Sequence, residues 1–137
     1  MKYRLIDHTA DLGIHVFGSD PETLFAGAAI AMVEQITDLG TLNGSNKSEI
    51  RVAGSDWADL MVNWLSEVLF LWAGREMLVK SIHIVTISEY ALTATANVDI
   101  YDPGRHIIKK EIKAVTYHQI QVYEGPEDWE AKIIFDI

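Results

Sequence analysis

The stretch Ile82-His83-Ile84-Val85-Thr86-Ile87-Ser88-Glu89-Tyr90-Ala91-Leu92-Thr93-Ala94-Thr95-Ala96-Asn97-Val98-Asp99-Ile100 decides the fold. From Leu92 onward every second residue is apolar. Leu92, Ala94, Ala96, Val98 and Ile100 alternate with Thr93, Thr95, Asn97 and Asp99. A period of two predicts a strand with one face in the core and one in water, as in an antiparallel sheet. Ile82 to Ile87 is its expected partner, joined to it across Ser88-Glu89-Tyr90.

Immediately upstream the period is helical. Ser55 and Asp56 cap a segment whose apolar stripe is Trp57, Leu60, Met61, Trp64, Leu65, Val68, Leu69 and Trp72, and Gly74 stands where a C′ residue is expected. The tryptophans on that stripe read as core packing against a sheet, with a ligand-stacking platform as the alternative. Glu49 to Val52 precedes this helix as a strand, and Leu42 to Lys47 before it is a polar loop. Further back, Asp20 as N-cap, Pro21 at the first helical position and Glu22 near the positive end open another helix. Its stripe is Leu24, Phe25, Ala28, Ala29, Met32, Val33 and Ile36, and it ends near Thr37 to Gly40. Tyr3 to Ile6 and Leu12 to Gly18 read as the first two strands, with Leu12, Ile14 and Val16 on one face.

Downstream, Asp102 to His106 is a turn. Val115 to Tyr123 and Trp129 to Ile137 read as a last hairpin with an acidic loop at Glu124 to Asp128. In its second strand Trp129, Ala131, Ile133 and Phe135 face one side, and Glu130, Lys132, Ile134 and Asp136 the other. The expectation is one α+β domain over residues 1–137, with two helices packed on a mostly antiparallel β-sheet.

Composition narrows the function. At 137 residues the chain can bury roughly two-thirds of its unfolded surface. It contains no cysteine, which removes disulfides, thiolate metal sites and cysteine nucleophiles. Eleven basic against twenty acidic residues give a net charge of −9, which opposes binding of bulk nucleic acid through its phosphates. Cations or a basic protein partner suit such a surface better. No signal peptide is read at Met1 to Asp7, and Asp59, Asn63, Ser66 and Glu67 interrupt the longest apolar stretch, so the expectation is a cytoplasmic protein without a membrane contact.

Two polar segments carry possible chemistry. Asp7-His8-Thr9-Ala10-Asp11 lies at a strand–strand junction, and the chain closes on Ile133-Ile134-Phe135-Asp136-Ile137. If the ends meet, Asp7, Asp11, Asp136 and the Ile137 carboxylate supply hard oxygen donors suited to calcium or another hard divalent cation. Scattered solvated aspartates are the plainer reading. His8 beside Asp7 and Asp11 has the makings of an acid–base pair, against the commoner role of a structural hydrogen-bonder. Lys109, Lys110 and Lys113 read as a solvated edge, or else as a contact for phosphate or an acidic partner. No glycine-rich phosphate loop and no zinc-type histidine set is present.

Several of these segments, taken in order, resemble the archease family from end to end. They are Asp7-His8-Thr9-Ala10-Asp11, the helix around Leu60, Asn63, Trp64 and Leu65, Asp102-Pro103 with Arg105-His106, Glu111 to His118, and Ile134-Phe135-Asp136-Ile137. The resemblance implies a fold built on a strand–helix–strand–strand module. It implies a non-catalytic accessory of the tRNA-splicing ligase, which promotes guanylylation and multiple turnover of that ligase and broadens its nucleotide use. The ligase is then the partner, and tRNA is met only indirectly. A calcium-type site would fall on Asp11, Asp136 and Ile137, with Lys113 as an assisting residue and Asp7 and His8 as supports. The competing readings are a stand-alone metal-dependent phosphohydrolase and a general chaperone or scaffold.

Overall fold

A computed structural model describes residues 2–8 and 11–137, without the side chains of Asp7 and His8. Strands β1 (Lys2–His8) and β2 (Asp11–Gly18) lead into helix α1 (Pro21–Ile36). A short 3-10 turn at Leu39–Thr41 precedes β3 (Asn46–Ala53), helix α2 (Trp57–Ala73), β4 (Met77–Ser88) and β5 (Ala91–Ile100). Three more strands close the chain: β6 (Ala114–Val115), β7 (Gln121–Glu124) and β8 (Trp129–Asp136).

The α+β class with two helices against antiparallel strands holds, and the strands divide into two sheets. One has the order β1-β2-β8, with β6 and β7 sharing the far edge of β8; the other has the order β3-β5-β4. The unit β3-α2-β4-β5 is a strand–helix–strand–strand module. Both helices touch strands of both sheets. This explains why α1 buries Gly27, Ala28, Ala29 and Ala31 as well as its large residues: small side chains let a helix sit close to neighbours on more than one side. Both N-caps behave as their sequences predict, with Asp20 accepting from the Thr23 N–H and Asp56 from the Asp59 N–H, each at 2.7 Å.

The tryptophan stripe is core, as the plainer reading has it. Trp64 is fully buried and its indole N–H donates to the Phe25 carbonyl at 2.9 Å, joining the helices. Trp57 and Trp72 are half-buried at the two ends of the stripe, among Tyr90 and Trp129 and against Tyr101 respectively.

Four expectations need correction. Gly74 caps α2 in right-handed geometry (φ −97°), and the left-handed residue at this helix end is Glu76 (φ 53°). The segment expected as one strand from Val115 to Tyr123 is two short strands, because Thr116 turns both its N–H and its hydroxyl onto the Ile134 carbonyl and residues 117–120 leave the ladder. Lys109 and Lys113 are exposed as expected, yet their backbone N–H groups are taken up at 2.7 Å by the carbonyls of Ile36 and Asp136. At the end of β5 the alternation slips: Ile100 is 68% exposed and Asp99 is buried.

Asp99 is buried because it organises a loop. Its carboxylate accepts the backbone N–H groups of Asn43, Gly44 and Ser45 at 2.7, 2.8 and 3.2 Å, and Gly44 takes the left-handed conformation (φ 69°) that glycine adopts freely. His106 accepts the Asp102 N–H at Nδ1, so the proton of the neutral ring sits on Nε2, 3.6 Å from Asp99 Oδ2. Burial alone would raise the Asp99 pKa, but the three backbone N–H donors outweigh it and hold the carboxyl below its ordinary value. A depressed folded-state value adds stability above the unfolded value, about 4, and that stability is lost as pH falls through the folded one. Chemical denaturation between pH 7 and 2.5 should therefore show a decline below about pH 4 that is flatter in Asp99→Asn, a variant expected to cost about 2 kcal/mol at neutral pH.

Candidate functional site: an acidic row at the β2–β8 rim

The core face of the five-stranded sheet carries Leu12, Ile14, Val16, Ala131, Ile133 and Phe135, all buried as the sequence predicts. The opposite face holds the candidate site. Pairing is antiparallel throughout, so residues opposite one another in register share a face. His8 stands opposite Asp11, Asp11 opposite Asp136, and Asp136 opposite Ala114, giving one row across β1, β2, β8 and β6. The ends of β2 and β8 therefore do meet, and two aspartates face each other across the ladder.

Asp11 is half-buried, and Asp136, Ile137 and Lys113 are exposed. The Lys113 N–H donates to the Asp136 carbonyl at 2.7 Å, fixing the β6 segment beside that residue. Asp7 is opposite Leu12 in register, so its backbone position falls in the adjacent row, while His8 shares the row of Asp11. The side chains of both, and Thr9 and Ala10 between the strands, lie outside the described residues. Among the described residues, no group of three or more His, Cys, Asp or Glu side chains is gathered for a metal. What the register brings together is a pair of carboxylates, Asp11 and Asp136, with Ile137 next in the chain.

The next row on this face is Ile6, Gly13 and Ile134. A Cβ on Gly13 would lie 2.9 Å from Ile6 Cβ and 3.0 Å from Ile134 Cδ1, so glycine lets these two side chains close over the strand. Beyond it a hollow of about 560 Å³ is lined by Ile6, His15, Gln119, Gln121, Lys132 and Ile134. His15 Nε2 lies 2.8 Å from Glu130 Oε1, and the Tyr123 hydroxyl donates to the same oxygen at 3.1 Å. The His15 bond, foremost, holds the Glu130 carboxyl below its ordinary pKa. On the α2 side, the Tyr117 hydroxyl donates to Asp59 Oδ1 at 2.7 Å. That bond raises the Tyr117 pKa and lowers that of Asp59, tying the segment between β6 and β7 to the start of α2. Sequence reasoning missed the Glu130, Asp59 and Asp99 networks, because nothing in local spacing joins residues 115, 58 or 55 positions apart.

Fold and site define a class: a small α+β protein with helices packed against two antiparallel sheets and paired carboxylates where its second strand begins and its last strand ends. The model of the archease protein family matches residues 3–137. Protein archease of Methanosarcina acetivorans is 34% identical over 140 residues, covering 99% of this chain and 96% of that protein. Protein archease of Methanopyrus kandleri is 32% identical with both chains covered completely, and a Drosophila melanogaster protein archease-like is 31% identical over 100% of this chain and 91% of its own. The solution structure of Methanobacterium thermoautotrophicum protein 1598 superposes with a TM-score of 0.80 at 28% identity, covering 98% of each chain. The chain belongs to the archease family. Among the described residues, no helix is long and apolar enough to cross a membrane.

Proposed function

We propose that the chain is a non-catalytic, cytoplasmic activator of a tRNA-splicing ligase, acting as one domain through a hard divalent cation of the calcium type held by Asp11, Asp136 and Ile137. In this reading it promotes guanylylation and multiple turnover of the ligase, broadens its nucleotide use, and meets tRNA only through that partner. The observation that carries it is the register of Asp11 with Asp136. Like charges directly opposite in an antiparallel ladder cost stability, with Cβ atoms about 5 Å apart. Two aspartates in that relation bring carboxylate oxygens from two strands to one rim, and an oxygen-only donor set suits calcium or magnesium. The net charge of −9 fits a protein that acts on another protein and not on bulk RNA.

When bound there, such a cation would offset the paired carboxylates and offer positions to phosphate oxygens. The chain's own residues do the rest. Asp11 and Asp136 hold their carboxylates at one rim from two different strands. The exposed Lys113 ammonium, anchored through its backbone beside Asp136, neutralises phosphate charge when the rim approaches the ligase site. His8, in the same row by register, supports Asp11, whereas Asp7 pairs with Leu12 in a row of the core face.

The test is a pair of assays on purified protein. With the ligase under multiple-turnover conditions it should raise the amount of joined RNA, and alone it should be silent on RNA and on phosphate esters. Hydrolysis of a phosphate ester without the ligase would establish the enzyme reading instead. Absence of any stimulation would remove the activator reading.

A further inference from the structure

We infer that the cleft at the C-terminal end of α2 receives an arginine side chain of the protein partner, an inference that rests on the accessory reading above. The cleft has a volume of about 580 Å³ and is lined by Trp72, Glu76, Tyr101, Glu111, Ile112 and Lys113. Trp72 and Tyr101 meet edge to face with ring centroids 5.1 Å apart, and Tyr101 stacks on the buried ring of His106 at 6.2 Å. The aromatic wall is thus held from behind while both rings remain only half-buried. An aromatic wall with carboxylates beside it is what a flat, weakly hydrated cation recognises: the guanidinium stacks on a ring face and donates to the acids, where an ammonium supplies only charge.

The placement of Glu76 is the second observation. It sits at φ 53°, where glycine costs nothing and other residues are strained. It also follows the C-terminus of α2, where the helix dipole disfavours an anion. Its backbone is locked in that position from both sides, the N–H donating to the Trp72 carbonyl and its own carbonyl accepting from the Tyr101 N–H, each at 2.9 Å. A glutamate kept at two local disadvantages, and fixed by the two residues of the aromatic wall, is explained by a cation that visits the cleft. Glu111 adds a second carboxylate against the one charge of Lys113, so the lining is net negative, as is the chain. Lys113 borders the cleft and bonds the Asp136 carbonyl through its backbone, so a partner arginine seated here would bring the partner against the acidic row.

Two measurements test this. A blocked glycine–arginine–glycine tripeptide, titrated into the protein, should move the Trp72 indole resonance saturably, whereas a blocked triglycine should not. The Glu76→Gln/Glu111→Gln variant should bind the tripeptide about tenfold more weakly. It should also need about tenfold more protein for half-maximal stimulation of the ligase while reaching the same maximum. Both positions are exposed, so the fold is expected to survive, which circular dichroism checks. An unmoved Trp72 resonance, or half-maximal stimulation unchanged in the variant, overturns the cleft and leaves ligase activation standing. Failure of the unaltered protein to stimulate the ligase overturns the activator reading and this inference with it.

Discussion

Asp136→Ala is expected to bring multiple-turnover ligation down toward the unassisted rate of the ligase, a loss of at least about tenfold in stimulation. The side chain is exposed and stands at the end of β8, so removing it leaves no cavity. The structural duty of this residue is met by its carbonyl, which accepts the Lys113 N–H at 2.7 Å and survives the substitution. Asp136→Asn keeps the shape and one hydrogen-bond acceptor while losing the charge. It should behave like the alanine variant if the carboxylate holds a cation, and like the unaltered protein if Asp136 only packs. Asp11→Ala should match Asp136→Ala, and the double variant should be no worse than either alone, since both remove the same site.

The largest loss of stability is expected from Trp64→Ala, at about 4 kcal/mol by chemical denaturation. Trp64 is the largest fully buried side chain, and its deletion leaves a void between the helices. It also removes the indole donor from the Phe25 carbonyl. Trp64→Phe should lose less, because most of the volume stays while the hydrogen bond goes. A loss below about 1 kcal/mol for alanine would mean that the helices can close over the void.

The core was legible because burial follows periodicity. Leu12, Ile14 and Val16, the stripes of both helices, and Leu92 through Val98 all lie on the faces that their spacing predicts. The division into two sheets was not legible, since strand alternation names a face and not the neighbouring strand. The slip at Asp99 and Ile100 arose because a buried acid with three backbone donors reads, in sequence, like any polar residue on a wet face. The strand break at residues 116–120 depends on the Thr116 hydroxyl reaching Ile134, a contact that local propensity does not encode. For the candidate site, the two terminal polar segments stood out as residues unsuited to packing. Their meeting was a conjecture that the pairing of Asp11 with Asp136 makes geometrically sound. Of the Trp72–Tyr101 cleft only the alternative of a ligand-stacking tryptophan on the α2 stripe was legible, because its other walls come from the end of β5 and the approach to β6.

Whether Asp11 and Asp136 hold a cation is decided by calorimetric titration of calcium into the protein and into Asp136→Asn, both stripped of metal beforehand. The unaltered chain is expected to bind one ion, with an affinity at least about tenfold lower in the variant and the fold unchanged by circular dichroism. Equal calcium binding by the two proteins, or none by either, would contradict that expectation.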